Sequence, residues 1–219
     1  MVYNRWLLAL LLTAGLACSM PQGVEAAQVK PIKKDTSVCL SPQMVKLKID
    51  MQRVWIDHTI WTRNIVSAMS NRPDQKDVLD RLLRNRQDIG NLIKPYYGEA
   101  AGNKLTDLLK QHILIAAQIV DAAKAGNEAK VQNLSKEWHA NADQIAKFLS
   151  EANPNWPFKK VQDMMYTHLR LINEIVVACL KGGWKADIAA TDKNESHMIE
   201  FADFLTEGIV KQFPDKFTN

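Results

Sequence analysis

The chain resembles itself at a regular interval, and this internal repeat limits its fold more than any other feature. Three ungapped stretches begin with a histidine that is followed seven residues later by Ile-Val, namely 58–68, 112–122 and 168–178. A second set begins at Asn85, Asn141 and His197, at intervals of 56 residues. A repeated helical hairpin with a period of about 56 residues is the simplest explanation. Three copies favour a compact six-helix up-down bundle over an open solenoid.

Apolar residues recur with a helical period from residue 44 to the end of the chain. Segments rich in Gly, Pro and Asn interrupt that period and mark the helix ends. The pattern predicts helices at 44–70, 75–94, 99–124, 129–151, 158–181 and 190–212. Since no segment alternates with a period of two over a useful length, we expect an all-α domain over 44–219 without a sheet.

The N-terminus has the order of regions found in a secretory signal peptide. Arg5 precedes the apolar run 6–17, and a more polar stretch ends at Ala26, after which we expect cleavage. A signal peptide over 1–26 predicts a secreted or cell-envelope protein. Lipid attachment at Cys18 is the less favoured alternative, because Gly15 stands where a larger aliphatic residue is usual. The apolar run is shorter than the about 20 residues that span a bilayer, so we expect no permanent transmembrane helix.

Charge and cysteine content narrow the remaining possibilities. Residues 27–43 carry lysines and prolines without an apolar period and predict an extended arm. Removal of 1–26 leaves the formal charge of +4 unchanged, which lacks the clustered basic character of a nucleic-acid binder. Cys39 precedes the first predicted helix, whereas Cys179 is near the end of the fifth, so a disulfide between them is not expected.

Six polar positions are predicted to share one layer inside the bundle. Each carries apolar residues at helical spacing and therefore faces inward. Within each predicted hairpin the paired positions are equidistant from the turn, which places them at one level. The layer comprises four imidazoles and two carboxamides, from His58, His112, His168, His197, Asn85 and Asn141.

Such groups are costly to bury without partners, which leaves three interpretations of the layer. The histidines and asparagines could form a purely structural hydrogen-bond layer that sets the helix register. The four histidines could instead hold a transition-metal ion such as zinc, copper or iron, with the asparagines beside it. The layer could also line a pocket for a small molecule.

These interpretations correspond to three kinds of function. The first choice is an exported binding protein that holds a metal ion or small ligand at the layer. The second is a metal-dependent enzyme that uses the same residues. The third is a structural or interaction protein of the cell envelope. The chain has no Gly-rich phosphate loop and no Gly-x-Ser-x-Gly, so a conventional hydrolase or nucleotide-dependent transferase is disfavoured.

Three strings resemble those of a set of small exported bacterial all-helical proteins. They are Trp61-Thr62-Arg63, residues 82–85 and residues 206–214, and the resemblance covers about residues 55–217. It implies a helical fold and export, and it assigns no catalytic residue. Some of those proteins carry automatic names such as glycosyltransferase, for which these residues supply no physical reason.

Overall fold

The computed structural model describes residues 40–68 and 72–218, and this part of the chain is helical with no strand. Five α-helices are followed by a short 3-10 helix at Pro214–Phe217. The α-helices are α1 (Pro42–Ala68), α2 (Gln75–Lys124), α3 (Glu128–Ala152), α4 (Phe158–Leu180) and α5 (Trp184–Gln212). The prediction of an all-α domain is confirmed for the described residues.

The predicted count of six helices in three hairpins is not matched, because the described residues contain five α-helices and the predicted segments 75–94 and 99–124 together form α2. Helical geometry inside α2 is interrupted at Gly98, with φ 83° and ψ 170°. The Thr106 hydroxyl donates to the Arg86 carbonyl at 3.4 Å, although a straight helix would separate these residues by about 30 Å. The two halves of α2 therefore fold back on each other at Gly98, a conformation that suits a residue without a Cβ.

The last helix begins earlier than the predicted residue 190. Gly183 ends the turn, and its carbonyl already accepts the Asp187 N–H at 3.0 Å. Trp184 is consequently the first residue of α5. A glycine pair marks the turn correctly here, but residues 184–189 that follow it are already helical.

The helices form a closed ring around one core. α1 contacts α2 and α5, the remaining neighbours in the ring are α2 with α3, α3 with α4 and α4 with α5, and α1 also reaches α4. The centre contains large buried side chains from every α-helix, among them Met51, Ile89, Leu109, Ile145, Ile175 and Phe201. No helix in the described residues is long and apolar enough to cross a membrane.

Several predictions concern the N-terminal part of the chain. The signal peptide 1–26, Cys18 and Cys39 lie outside the described residues. The predicted arm 27–43 overlaps the start of α1, which begins at Pro42. Cys179 is a free, buried cysteine.

The two halves of α2 approach most closely at Gly90 and Gly102. A Cβ on Gly90 would lie 2.6 Å from the Gly102 carbonyl oxygen and would also overlap the Thr106 hydroxyl. A Cβ on Gly102 would similarly lie 2.6 Å from the Gly90 carbonyl oxygen. The absence of a side chain at both positions therefore permits the backbones to pack together.

Replacement of Gly90 by alanine is expected to destabilise the protein by about 1–3 kcal/mol, because the added methyl group overlaps packed backbone. Helix propensity alone predicts the opposite sign, a gain of about 1 kcal/mol. Urea unfolding of Gly90→Ala measures the difference, and Ala140→Gly, at an exposed position of α3, calibrates the propensity effect. A stabilised Gly90→Ala variant would contradict the close approach.

Candidate functional site: a layer of three buried histidines

Three histidines from three different helices meet inside the bundle. His58 of α1, His112 of α2 and His168 of α4 are each 3% exposed. The ring centroid of His168 lies 5.6 Å from that of His58 and 6.0 Å from that of His112. The structure therefore brings together three of the four histidines that the sequence placed in one layer.

Each of these histidines makes the same hydrogen bond to a buried asparagine. Its Nδ1 lies 3.2 Å from Asn85 Oδ1 in His58, 2.7 Å from Asn141 Oδ1 in His112 and 2.9 Å from Asn194 Oδ1 in His168. The three bonds join α1 to α2, α2 to α3 and α4 to α5. Five of the six predicted layer residues thus take part in these hydrogen bonds. Asn194, which was not in the predicted layer, is the sixth participant.

The asparagine contacts determine which proton each ring carries. Asn85 Nδ2 donates to the Val54 carbonyl at 2.8 Å, and Asn141 Nδ2 donates to the Leu108 carbonyl at 3.2 Å. The amide oxygen must then face the imidazole as an acceptor, so the ring donates from Nδ1. In each ring Nε2 is left with a lone pair.

Asn194 is oriented through the Thr59 hydroxyl and not by a direct bond to a backbone carbonyl, with the same result for its histidine. Its Nδ2 lies 3.5 Å from Thr59 Oγ1, at the limit of a hydrogen bond, and the Thr59 hydroxyl donates to the Trp55 carbonyl at 3.3 Å. Since the hydroxyl proton is used in that bond, Thr59 accepts from Asn194. The His168 ring therefore also donates from Nδ1.

His197 occupies a different place from the one predicted. Its Nε2 donates to the Met164 carbonyl at 2.8 Å, and its side chain is only half-buried. Met164 precedes His168 by four residues, as Val54 precedes His58 and Leu108 precedes His112. In the α4–α5 pair, Asn194 bonds the histidine and His197 bonds the carbonyl four residues before that histidine. Asn85 and Asn141 each make both kinds of contact with one side chain. Among the ring contacts of the described residues, those between histidines join His168 to His58 and to His112, and none involves His197.

Sequence reasoning missed Asn194. The alignment selected His197 as the partner of His168, and Asn194 stands one helical turn before it. Asn194 is 26 residues from its histidine, close to the separations of 27 and 29 in the other two pairs. That separation, taken with the residue type, was the signal that could have identified it.

The three rings border a small pocket with an apolar wall. Its volume is about 30 Å³, and its lining includes Thr62 and Trp138 together with aliphatic residues of α1, α2 and α4. Three polar atoms from these lining residues are buried and have no hydrogen-bond partner among the residues that the structure describes, namely His112 Nε2, Thr62 Oγ1 and Trp138 Nε1. They comprise one acceptor, one hydroxyl and one donor.

Burial keeps the imidazoles uncharged. Desolvation lowers the pKa of His58 to about 4 and that of His112 to about 3, although the asparagine bonds oppose the shift. Desolvation also lowers the pKa of His168 well below 6.5, and the neighbouring histidines add to this effect. Among the described residues, no Asp, Glu, Lys or Arg lines the pocket. At neutral pH the site is consequently uncharged.

The predicted four-histidine metal site is not assembled in this structure. Among the described residues, no group of three or more His, Cys, Asp or Glu side chains is placed to hold a metal ion. His197 is directed to a backbone carbonyl, and the asparagines are committed to the histidines. Rings with a pKa of about 3–4 are also weak general bases near neutral pH.

Comparison with known proteins does not identify the chain. Searches of family models, of curated proteins and of solved structures find no match. The resemblance to small exported bacterial helical proteins stays a prediction, and the site must be interpreted from its own chemistry.

Replacement of Asn141 by leucine is expected to destabilise the protein by about 2–3 kcal/mol. Leucine has a similar volume but cannot accept the His112 Nδ1–H, which is left buried without a partner. Urea unfolding at neutral pH measures the loss, and Asn133→Leu, at an exposed position of the same helix, is the control. Equal stability of the two variants would contradict a structural role for the pair.

Acid is expected to destabilise the fold through the three histidines. The unfolded chain binds protons near pH 6.5, whereas the folded pKa values of His58 and His112 are about 4 and about 3. Their contribution to stability is therefore fully present above pH 6.5 and is lost as the pH falls toward 4 and then 3. Each histidine adds up to about 1.4 kcal/mol per pH unit to the slope in this interval.

Urea unfolding across this pH interval tests the contribution of the layer. His58→Gln cannot titrate and is expected to show a shallower pH dependence of the free energy of unfolding than the native chain. His139→Gln, at an exposed histidine of α3, is the control and should retain the native slope. Parallel slopes for all three proteins would exclude His58 as a source of the pH dependence.

Proposed function

We propose that the protein binds a small uncharged molecule with a hydroxyl group in the pocket bordered by His58, His112 and His168. The single observation that supports this proposal is a set of unpartnered polar atoms in an otherwise apolar pocket. Such a pocket, with a few convergent polar groups and shifted pKa values, is a typical small-ligand site.

The unpartnered atoms match a hydroxyl group. A hydroxyl can donate to His112 Nε2 and accept from Trp138 Nε1, and Thr62 Oγ1 can serve in either sense. Leaving these atoms without partners costs free energy, so a ligand that satisfies them gains affinity. An apolar body on the ligand would contact the aliphatic lining.

Charge and size restrict the ligand further. A cation would be buried without a carboxylate among the lining residues, and an anion without a lysine or arginine, and both are costly. The volume of about 30 Å³ exceeds what a single water needs but is well below the about 150 Å³ cavity known to hold benzene. We therefore favour a neutral molecule of a few heavy atoms.

A metal ion is the second candidate for the same pocket. It is favoured by the amide that holds each imidazole in the Nδ1–H form, because metal-binding histidines commonly donate their other nitrogen to such a partner. The three Nε2 atoms would have to draw together around the ion. A metal-dependent enzyme would require the same movement and an open coordination position.

We also propose that the site functions outside the cytoplasm, on the basis of the signal-peptide pattern in 1–26.

A third role, in which the layer only fixes register for an envelope protein, requires no ligand at all. The common position of Asn85, Asn141 and His197, each bonded to the carbonyl four residues before a layer histidine, supports descent from one repeated hairpin.

Ethanol and its isomer dimethyl ether provide a matched pair of probes. Both have the same heavy atoms, but only ethanol can donate a hydrogen bond to an Nε2 lone pair. We expect ethanol to shift the ¹⁵N resonance of His112 Nε2 with saturation, and the ether to bind at least about fivefold more weakly, since one lost hydrogen bond to a buried acceptor is worth about 1–3 kcal/mol.

Two threonine variants control this titration. Thr62→Val keeps the side-chain shape and removes a hydroxyl of the pocket, so weaker ethanol binding is expected. Thr167→Val is the control, because that hydroxyl donates to the Asp163 carbonyl on α4. If neither ethanol nor the ether binds with saturation, the proposal is contradicted and the structural role of the layer is left.

Elemental analysis distinguishes the metal alternative. Near-stoichiometric metal in the purified protein, lost in a His58→Ala, His112→Ala, His168→Ala variant that remains folded, would replace the neutral ligand with a metal ion. Metal that is absent from both proteins would exclude that alternative under the conditions of purification.

A further inference from the structure

The turn between α4 and α5 exposes an unusual set of large apolar side chains. The exposed fractions are 40% for Val177, 43% for Leu180, 61% for Trp184 and 53% for Ile188. We refer to residues 177–193 as the α4–α5 tip. Trp184 has the largest exposed fraction of the large hydrophobic side chains in the described residues.

The α4–α5 tip extends into open space. A Cβ added to Gly182 at the apex would meet no atom within 4 Å. Gly182 has a φ of 67°, which reverses the chain without a covering side chain. Trp184 follows two residues later as the first residue of α5. The indole therefore belongs to the end of a helical hairpin and not to a groove between helices.

The apolar residues are distributed around the α4–α5 tip and do not form one flat face. Val177 lines a shallow groove between α4 and α5 together with Ala186 and Lys193, whereas Ile188 is not among the lining residues of that groove. A flat protein partner would cover only part of this arrangement. If the hairpin entered a fluid apolar phase end-on, that phase would contact all of these apolar side chains.

The charges at the α4–α5 tip are mainly positive. Lys181, Lys185 and Lys193 are exposed, and none is in an ion pair within the described part of the chain. Asp187 is buried and pairs with Arg63 at 2.7 Å, and Glu174 pairs with Arg170. Asp192 is the remaining exposed acid of this segment. The surface around the apolar side chains therefore attracts anions.

From this juxtaposition we propose that the α4–α5 tip docks on an anionic lipid bilayer surface, with Trp184 and Leu180 in the interfacial region and the lysines at the lipid phosphates. Tryptophan favours this interface because its ring is apolar and its N–H is polar. Basic residues close to the surface add electrostatic attraction, which salt weakens. The inference is independent of the histidine pocket and of its ligand.

Vesicle flotation of the whole protein tests this proposal. The vesicles contain phosphatidylcholine alone or phosphatidylcholine mixed with phosphatidylglycerol. We expect binding to the mixed vesicles that falls with added salt and is at least about tenfold weaker in Trp184→Ser and in Lys181→Glu/Lys185→Glu. Because the apolar N-terminal run is present in every protein, the differences between variants report on the α4–α5 tip.

Matched variants at other sites serve as controls. Phe158→Ser removes an exposed ring at the start of α4, and Lys110→Glu/Lys136→Glu reverses two exposed charges on α2 and α3. Both should bind mixed vesicles as the native chain does, and circular dichroism should show native helicity for every variant. Equal weakening in the controls, or binding of Trp184→Ser to the mixed vesicles as strong as that of the native chain, would overturn the proposal. Trp184-dependent self-association without vesicle binding would also overturn it.

Discussion

The rest of this structure depends on the hydrogen bond between a buried imidazole and a buried carboxamide. An imidazole that loses water without gaining a partner is costly, and so is an unpaired asparagine. Each can satisfy the other only when two neighbouring helices are in one axial register. A slip of a single residue would move a side chain by about 1.5 Å along the axis and by about 100° around it. The three His–Asn pairs therefore fix the register of α1 with α2, of α2 with α3 and of α4 with α5.

The same bond gives the two nitrogens of each ring different roles, with Nδ1 used for structure and Nε2 for the proposed binding. The asparagine uses the Nδ1–H of the ring and orients it, so the lone pair on Nε2 is available to the pocket. Burial lowers the pKa of these rings and keeps that lone pair free of a proton at neutral pH. Groups that are needed for stability in this way also create the acceptor surface on which the proposed binding function depends.

Much of this arrangement could be predicted from the chain compared with itself. The histidines at 58, 112 and 168 and the asparagines at 85 and 141 all lie in the predicted layer, and the pairs His58–Asn85 and His112–Asn141 are those that the predicted hairpins imply. The helical class and most helix ends also follow from periodicity and from Gly and Pro positions. The chain turns at Gly98, within the predicted break between 94 and 99, whereas the predicted start of the last helix at 190 was wrong because α5 already begins at Trp184.

The sequence by itself determined the class of fold, the turns and the recurrence of polar residues on inward helix faces, because these depend on spacing along one chain. Only the tertiary structure decided which polar residue meets which histidine. Positions 194 and 197 lie one turn apart on the same side of α5, so periodicity treats them alike. Their contacts differ because His168 Nδ1 and the Met164 carbonyl stand at different heights on α4, and each is reached by a different side chain. The pocket likewise exists only where α1, α2, α3 and α4 converge, which no single helix can specify.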